Sequence, residues 1–241
     1  MTIPRVIAHR GSSDAHPDNS WSAFEAAVAE GADAIECDVV ATRDDVLVIR
    51  HDLSVGNRFV SDVTAAELEA VEPGTLRLAE LLPWAARSRI DLLVEIKVPD
   101  VALATGAMIA SSDLRERITV GGFHAPALAA IKAVMPGIRT SLMMGSVVGA
   151  DELLFLAQAY RVDDIHLCWE TRATNPRRLL DPALIAKLRR AGLGITLWHE
   201  EREDELRALV TLEPDAICTN TPAVLRRIVD RYRENSSKLT T

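Results

Sequence analysis

Short runs rich in valine, isoleucine and leucine alternate along this chain with longer segments in which apolar residues recur every three to four positions. In the first longer segment, Trp21, Phe24 and Val28 recur at helical spacing. Asn19 or Ser20 just before them is suited to cap the helix. Alternating strands and helices are typical of parallel sheets, in which each helix covers the sheet between two strands. The sequence therefore predicts an α/β fold.

Nine strand-like runs occur, one more than a barrel of eight parallel strands requires. The run before His51 follows the run that contains Asp38 after only residues 42–45. Parallel neighbours need a crossover of about a dozen residues, so this run must turn back antiparallel. A hairpin centred between Asp44 and Asp45 would set His51 directly opposite Asp38. The other eight runs predict a (β/α)8 TIM barrel with a β-hairpin extension after strand 2, and they end at residues 9, 38, 97, 123, 144, 169, 198 and 219.

Length and composition predict a single domain over residues 1–241. The 241 residues are 48% hydrophobic, which is enough to fill one substantial core, and no linker or low-complexity tract divides them. Residues 235–241 are expected to form a disordered tail. The three cysteines each lie in an apolar run, and their odd number and spacing predict buried thiols rather than a disulfide framework.

Charge and hydropathy argue against two classes of partner. A net charge of −8 argues against nucleic acid, because phosphate backbones bind to a basic face. No apolar stretch approaches the ~20 residues of a membrane span, and the first residues lack the pattern of a secretory signal. A cytoplasmic location is therefore expected, whereas the oligomeric state stays open.

Ionisable side chains stand where the predicted strands end, namely at His9, Arg10, Glu36, Asp38, His51, Glu95 and Lys97. A buried, unpaired charge is so costly that a metal, a counter-ion or a ligand normally compensates it. Side chains alternate between the two faces of a strand, so Glu36 and Asp38 share one face while Cys37 takes the other. That shared face should line the barrel interior near the C-terminal strand ends, where TIM barrels carry their active sites.

Glu36, Asp38 and Glu95 would form a set of hard oxygen ligands at this end of the barrel. Such a set suits one divalent cation, Mg²⁺ or Ca²⁺, with Mn²⁺ as a further candidate. Zinc is less suited, because no cysteine is expected to point inward with the carboxylates. Ion pairs with Arg10 and Lys97, without any metal, are the alternative.

The order and spacing of these residues also resemble a known family. The motifs that carry the resemblance are His9-Arg10-Gly11, Pro17-Asp18-Asn19-Ser20, Ala23-Phe24, Gly31-Ala32-Asp33, Glu36-Cys37-Asp38-Val39, Thr42, His51-Asp52 and Glu95-Ile96-Lys97. They resemble the glycerophosphodiester phosphodiesterase family, within the TIM-barrel superfamily of phospholipase C-like phosphodiesterases. The resemblance covers nearly the whole chain, with the later motifs matched more loosely.

The resemblance implies an enzyme that cleaves glycerophosphodiesters to sn-glycerol 3-phosphate and an alcohol. It also implies that Glu36, Asp38 and Glu95 hold the divalent metal and that His9 and His51 are the acid–base pair. The chain departs from the family pattern at several places. His199-Glu200-Glu201 stands where the family tends to have threonine, a hydrophobic residue and asparagine, and Asn220 replaces a frequent aspartate. The segment 53–73 is short for the family's cap.

Hydrolysis of a phosphodiester needs positive charge near the phosphate oxygens, a base that activates the nucleophile and an acid that protonates the departing alkoxide. His9 and His51 suit the two proton transfers, because imidazole titrates near neutrality. Arg10 and Lys97 would bind the phosphate, and Trp198 would either wall the substrate pocket or pack in the core. The residues leave open which histidine is the acid, and whether water or the substrate's own hydroxyl attacks.

Two other functions fit these residues less well. A lysophospholipase D-like enzyme should carry an exposed apolar lip at the barrel mouth, and no loop concentrates such residues. A catalytically silent phosphate-binding barrel would not need both histidines. Small, water-soluble glycerophosphodiesters are therefore the expected substrates.

Overall fold

The computed structural model describes residues 2–169 and 172–238, and within them eight parallel strands close into a barrel. The strands, in chain order, are β1 (Arg5–His9), β2 (Ala34–Ala41), β3 (Leu47–Ile49), β4 (Ser54–Val55), β5 (Arg58–Phe59), β6 (Asp91–Ile96), β7 (Ile118–Gly122), β8 (Arg139–Met144), β9 (Asp164–Cys168), β10 (Gly194–Trp198) and β11 (Ala216–Thr219). β1 pairs in parallel with both β2 and β11, which closes the ring. The predicted TIM barrel is confirmed.

Helices connect the barrel strands, and most lie close to the segments that the apolar periodicity predicts. They are α1 (Trp21–Ala29), α2 (Ala65–Val71), α3 (Leu78–Ser88), α4 (Ala102–Ala110), α5 (Ala125–Val134), α6 (Ala150–Tyr160), α7 (Pro182–Arg190), α8 (Glu203–Val210) and α9 (Pro222–Lys238). The Ser20 hydroxyl caps α1 by accepting from the Ala23 backbone N–H at 3.2 Å. In the part of the chain that the structure describes, no helix is both long and apolar enough to span a membrane.

The last helix extends farther than the sequence indicates. Residues 235–238, which are predicted to belong to a disordered tail, continue α9. Val229, Tyr232 and Ser236 follow one another at helical spacing; Val229 and Tyr232 pack on the core, and Ser236 is buried. The tail prediction is therefore wrong for these residues, because the packed face of the helix continues past Tyr232. Residues 239–241 lie outside the described residues.

The barrel strands alternate between two apolar environments. The main core lies between the barrel and the helices, and Cys37 faces it, as the alternation predicts. A smaller cluster fills the barrel interior and consists of Ile7, Ala34, Leu93, Met143, Cys168, Ala216 and Cys218. All three cysteines are buried thiols. Cys168 and Cys218 thus point inward, but neither belongs to the group of acidic residues described below.

The hairpin arm has a register that differs by one residue from the predicted one. β3 pairs antiparallel with β2, and Arg50, rather than His51, donates its backbone N–H to the Asp38 carbonyl at 2.9 Å. His51 therefore lies one residue beyond the position opposite Asp38. The turn explains the shift, because Asp45 adopts a left-handed φ of 59°. This conformation is typical of three-residue hairpin loops, whereas the predicted loop holds two residues.

Residues 53–71 form a short cap on the arm. The cap packs on one face of the arm around a small core of Val40, Val48, Val55, Val60, Val63 and Leu68. Val40 follows Asp38 by two positions and therefore shares the face of β2 that lines the barrel interior. The cap thus lies at the barrel mouth, beside the ends of β2 and β3.

Candidate active site

Three carboxylates converge inside the barrel near the C-terminal strand ends. Glu36 and Asp38 lie on β2, and Glu95 lies on β6, where the parallel register sets it beside Asp38. The three residues are 1%, 0% and 3% exposed, and one oxygen of each lies within 4.8 Å of the others. The strand ends that stand far apart in the sequence thus form one acidic cluster, consisting of Glu36, Asp38 and Glu95.

Two cations lie against the acidic cluster. Lys97 Nζ is 2.8 Å from Glu95 Oε1 and 3.2 Å from Asp38 Oδ1. Arg10 Nε is 3.1 Å from Asp38 Oδ2. Burial alone would lower the pKa of both basic groups, but the Asp38 carboxylate, helped by its acidic neighbours, outweighs burial and raises both pKa values. Both side chains therefore remain charged beside the cluster.

Glu36 is left without a cationic partner of its own. Its Oε2 accepts the Arg10 backbone N–H at 3.1 Å, whereas its Oε1 is buried and meets no hydrogen-bond donor among the described residues. Burial, followed by repulsion from Asp38 and Glu95, raises the pKa of Glu36 well above its ordinary value. Two cations thus leave one of three buried carboxylates uncompensated. A hard divalent cation fits this donor set better than ion pairs alone.

A tight turn after β1 aims Arg10 at the cluster. Arg10 has a left-handed φ of 55°, and its backbone N–H also donates to the Glu36 carbonyl at 3.0 Å. Gly11 follows with a φ of 88°, and a Cβ at this position would lie 2.6 Å from the Cβ of Ala23. Only glycine fits this conformation and this approach, so Gly11 serves the turn that positions Arg10.

Asn19 also contacts the site, although the sequence predicts for it only a possible helix cap and a place in the family motif. Its Nδ2 donates to Asp38 Oδ2 at 2.9 Å, and its backbone N–H donates to the Arg10 carbonyl at 3.0 Å. The segment before α1 is thereby fixed to both members of the Arg10–Asp38 pair. The Asp-Asn-Ser motif gave the available signal, because asparagine adopts left-handed φ values readily, and Asn19 has a φ of 54°.

His9 is buried at the end of β1, beside the acidic cluster. The residue is 5% exposed, and its Nε2 lies 3.9 Å from Glu36 Oε2. Its Nδ1 lies 2.6 Å from Asn220 Oδ1. Burial, together with the positive charge of Arg10, lowers the pKa of His9 well below 6.5. His9 is therefore a neutral imidazole at neutral pH, a form that can accept a proton.

His51 has a contrasting environment at the rim of the barrel. Its side chain is 40% exposed, and its Nδ1 lies 2.8 Å from Asp52 Oδ1. His51 lines a polar cleft of about 610 Å³, together with Arg10, Asn19 and residues 72–75 of the loop after α2. One histidine is thus enclosed beside the carboxylates, and the other faces the solvent-filled approach to them.

Trp198, at the end of β10, borders His9 on another side. The two rings contact edge to face with centroids 5.4 Å apart, and Trp198 also contacts Phe123 at 6.1 Å. Phe123 is 48% exposed, so these aromatic rings extend from His9 toward solvent. Trp198 therefore touches the candidate site as well as the core.

Three further residues lie beside His9, namely His199, Asn220 and, behind Asn220, Glu201. The sequence predicts no role for any of them. His199 stacks on His9 with centroids 4.7 Å apart and planes inclined by 15°. Asn220 Nδ2 donates to Glu201 Oε1 at 2.7 Å. The available signal is that each of these three residues departs from the family pattern.

Comparison with known proteins identifies the family. The sequence profile of the Glycerophosphoryl diester phosphodiesterase family matches residues 9–224. The chain belongs to this family. The match begins at His9 and includes the complete acidic cluster and both of its cations, so the described site lies within the part of the chain that the family shares.

Relatives and solved structures match nearly the full chain. A glycerophosphodiester phosphodiesterase from Caldanaerobacter subterraneus subsp. tengcongensis is 26% identical over 252 residues, covering 93% of this chain and 97% of that protein. The crystal structure of a glycerophosphodiester phosphodiesterase from Parabacteroides distasonis has a TM-score of 0.82 at 22% identity, covering 96% of this chain and 99% of that one. A phosphodiesterase from Oleispira antarctica, solved with the product sn-glycerol-3-phosphate, has a TM-score of 0.80 at 21% identity and covers 95% of this chain and 97% of its own.

The raised pKa of Glu36 predicts how the metal-free protein responds to pH. Above the ordinary glutamate pKa of 4.5, the unfolded chain releases the Glu36 proton, while the folded protein retains it until its own higher pKa is passed. The unfolded state then binds fewer protons, so this group's contribution to stability falls as pH rises through that window. A Glu36→Gln variant lacks the contribution.

In the presence of a chelator, the Tm of Glu36→Gln relative to the unmodified protein should therefore increase from about pH 5 to about pH 8. Comparing the two proteins at each pH cancels the titration of ionisable groups that do not interact with Glu36. A Tm difference that stays constant or shrinks over this range would show that the Glu36 carboxylate is not strained by its burial.

Proposed function

We propose that this chain is a metal-dependent phosphodiesterase that hydrolyses glycerophosphodiesters to sn-glycerol 3-phosphate and an alcohol. The observation that carries the proposal is the buried acidic cluster with one uncompensated carboxylate and two histidines next to it. Family membership supports the reaction class, and the product bound to the Oleispira antarctica phosphodiesterase supports the product. We further propose that residues 1–241 form a single cytoplasmic domain with no nucleic-acid partner.

Glu36, Asp38 and Glu95 would hold one divalent cation, either Mg²⁺ or Ca²⁺, with Mn²⁺ also compatible with oxygen ligands. When bound, such an ion supplies positive charge that neutralises the phosphate oxygens. The orphaned Glu36 Oε1 supports this assignment, because it is a buried acceptor without a donor among the described residues. Asn19 and Lys97 would keep the other carboxylates oriented through their hydrogen bonds to Asp38 and Glu95.

His9 and His51 would transfer the protons. The neutral imidazole of His9 beside Glu36 suits the acceptance of a proton from the attacking group. His51 at the rim, with Asp52 2.8 Å from its Nδ1 to orient the ring, would donate the proton to the leaving alkoxide. This division of roles places the departing alcohol on the solvent side of the phosphate.

Arg10, Lys97 and Trp198 would complete the substrate site. Arg10 lines the cleft next to His51 and carries a guanidinium that can donate to two phosphate oxygens. Lys97 lies deeper, between Asp38 and Glu95, where its charge adds to the positive field around a bound phosphate. Trp198 would wall the side of the pocket that His9 occupies.

Alanine substitution of either histidine tests the proposed acid–base pair. General acid or base groups typically contribute about 10²- to 10⁴-fold to turnover, so His9→Ala and His51→Ala should each lower kcat on glycerophosphocholine by that order. His51→Ala should unfold at a nearly unchanged temperature, because its side chain is 40% exposed, whereas His9→Ala removes a buried ring and should fold with a lower Tm. His16→Ala is the matched control, because His16 lies outside the cluster, and it should keep full activity. Near-normal turnover by His51→Ala would remove this residue from the mechanism.

The polarity of the cleft predicts the substrate size. Charged and polar side chains line the cleft beside His51, among them Asp18, Arg50, Asp52 and Glu72. An acyl chain would find little apolar surface there, although burial of such surface is worth about 25 cal/mol per Å². Small head-group diesters should therefore react better than lysophospholipids.

The comparison is kcat/KM for glycerophosphocholine against lysophosphatidylcholine, with the lipid kept below its micellar concentration. We expect the larger kcat/KM for glycerophosphocholine. A tenfold advantage of the lysolipid, about 1.4 kcal/mol of transition-state binding, would support the lysophospholipase D-like alternative instead. Binding of phosphate without turnover of either compound would support the catalytically silent barrel.

A further inference from the structure

The Asn220 side chain has a fixed orientation beside His9. Its Oδ1 lies 2.6 Å from His9 Nδ1 and 2.9 Å from Ser13 Oγ, whose single hydrogen is shared with the His9 carbonyl at 2.8 Å. Its Nδ2 donates to Glu201 Oε1 at 2.7 Å. Rotating the amide by half a turn would set the Asn220 oxygen against the Glu201 carboxylate. Glu201 therefore determines that the atom facing His9 is an acceptor.

The amide orientation determines which ring nitrogen of His9 carries the hydrogen. An acceptor at 2.6 Å requires a donor, so Nδ1 bears the hydrogen. In the neutral ring, Nε2 then keeps its lone pair. Nε2 is the nitrogen near the acidic cluster, 3.9 Å from Glu36 Oε2. The hydrogen-bond chain thus sets the tautomer in which the lone pair lies on the cluster side.

Aromatic contacts restrict rotation of the same ring. His199 stacks on His9 at 4.7 Å, and Trp198 meets its edge at 5.4 Å with planes inclined by 73°. His199 Nε2 also lies 3.4 Å from Glu201 Oε1, the same oxygen that accepts from Asn220. Glu201 therefore contacts both Asn220, which lies at the Nδ1 edge of His9, and His199, which lies on the face of the ring.

We propose that Asn220 and Glu201 are positioning residues that hold His9 in the Nδ1–H tautomer, with Nε2 directed toward the acidic cluster. The catalytic consequence rests on the proposed function, in which His9 transfers a proton. The tautomer itself does not, because it follows from the hydrogen-bond geometry alone. Neither residue needs to contact the substrate to act in this way.

Two kinds of variant separate the hydrogen-bond pattern from mere packing. Asn220→Leu removes the acceptor at similar volume. Asn220→Asp keeps an acceptor for Nδ1–H but sets a second carboxylate against Glu201. Adding Glu201→Gln to Asn220→Asp restores a hydrogen bond between the two side chains, in which residue 201 now donates and residue 220 accepts. The double variant therefore retains the hydrogen bonds from His9 to residue 220 and from residue 220 to residue 201, although neither original residue is present.

The first readout is ¹⁵N NMR of the Mg²⁺-loaded protein with labelled histidine, in which the His9 signals are assigned by their loss in His9→Gln. The unmodified protein should show a protonated Nδ1 and an unprotonated Nε2. Asn220→Leu should shift His9 toward the Nε2–H form, and the Asn220→Asp/Glu201→Gln double variant should return it. An Nε2–H tautomer in the unmodified protein would overturn the proposal, whatever the activity.

The second readout is turnover of glycerophosphocholine. Asn220→Leu should lower kcat by about 10- to 100-fold with KM within about twofold, the range for loss of the hydrogen-bond partner of a metal-ligating histidine. The double variant should recover to within about threefold of the unmodified protein, whereas Asn220→Asp alone should not. If thermal unfolding shows that both aspartate variants are folded and the kcat of the double variant does not exceed that of Asn220→Asp, the positioning role is overturned.

If Asn220→Leu does not fold, the comparison of Asn220→Asp with the double variant decides the question. A correct tautomer in a protein that hydrolyses no diester would instead count against the proposed function.

Discussion

Burial of three carboxylates within a few ångströms of one another is the constraint around which the mouth of this barrel is arranged. Strand alternation puts Glu36 and Asp38 on the inner face of β2, and the parallel register adds Glu95. Such a cluster is tolerated only with compensation. Arg10 and Lys97 supply part of this compensation. The left-handed turn at Arg10 and Gly11 positions the arginine, and the end of the strand that carries Glu95 positions the lysine.

The same constraint explains why the two histidines differ. His9 shares the enclosed space of the cluster, where burial and Arg10 lower its pKa and keep the ring neutral. His51 follows β3 on the arm, so it stays partly exposed and pairs with Asp52. The enclosed, neutral ring and the partly exposed ring thus differ by position rather than by residue type.

The barrel, the arm and the clustered carboxylates could be predicted from the sequence, because strand periodicity and the short link at residues 42–45 permit few arrangements. The register of the arm could not, since it depends on the left-handed conformation of Asp45. The contacts of Asn220 and Glu201 could not be predicted either. Asn220 stands 211 positions from His9, and only barrel closure between β1 and β11 brings the two together. Two departures from the family pattern that look independent in the sequence turn out to be hydrogen-bonded to each other.

We propose that one divalent cation compensates the residual negative charge of the acidic cluster. Anomalous diffraction from crystals grown with Mn²⁺ would show this ion, because the manganese signal locates it without reference to activity. We expect one manganese peak with oxygens of Glu36, Asp38 and Glu95 at about 2.0–2.3 Å, the range for a small hard divalent ion. Crystals that contain no manganese at this position, with Arg10 and Lys97 still paired to the carboxylates, would contradict it.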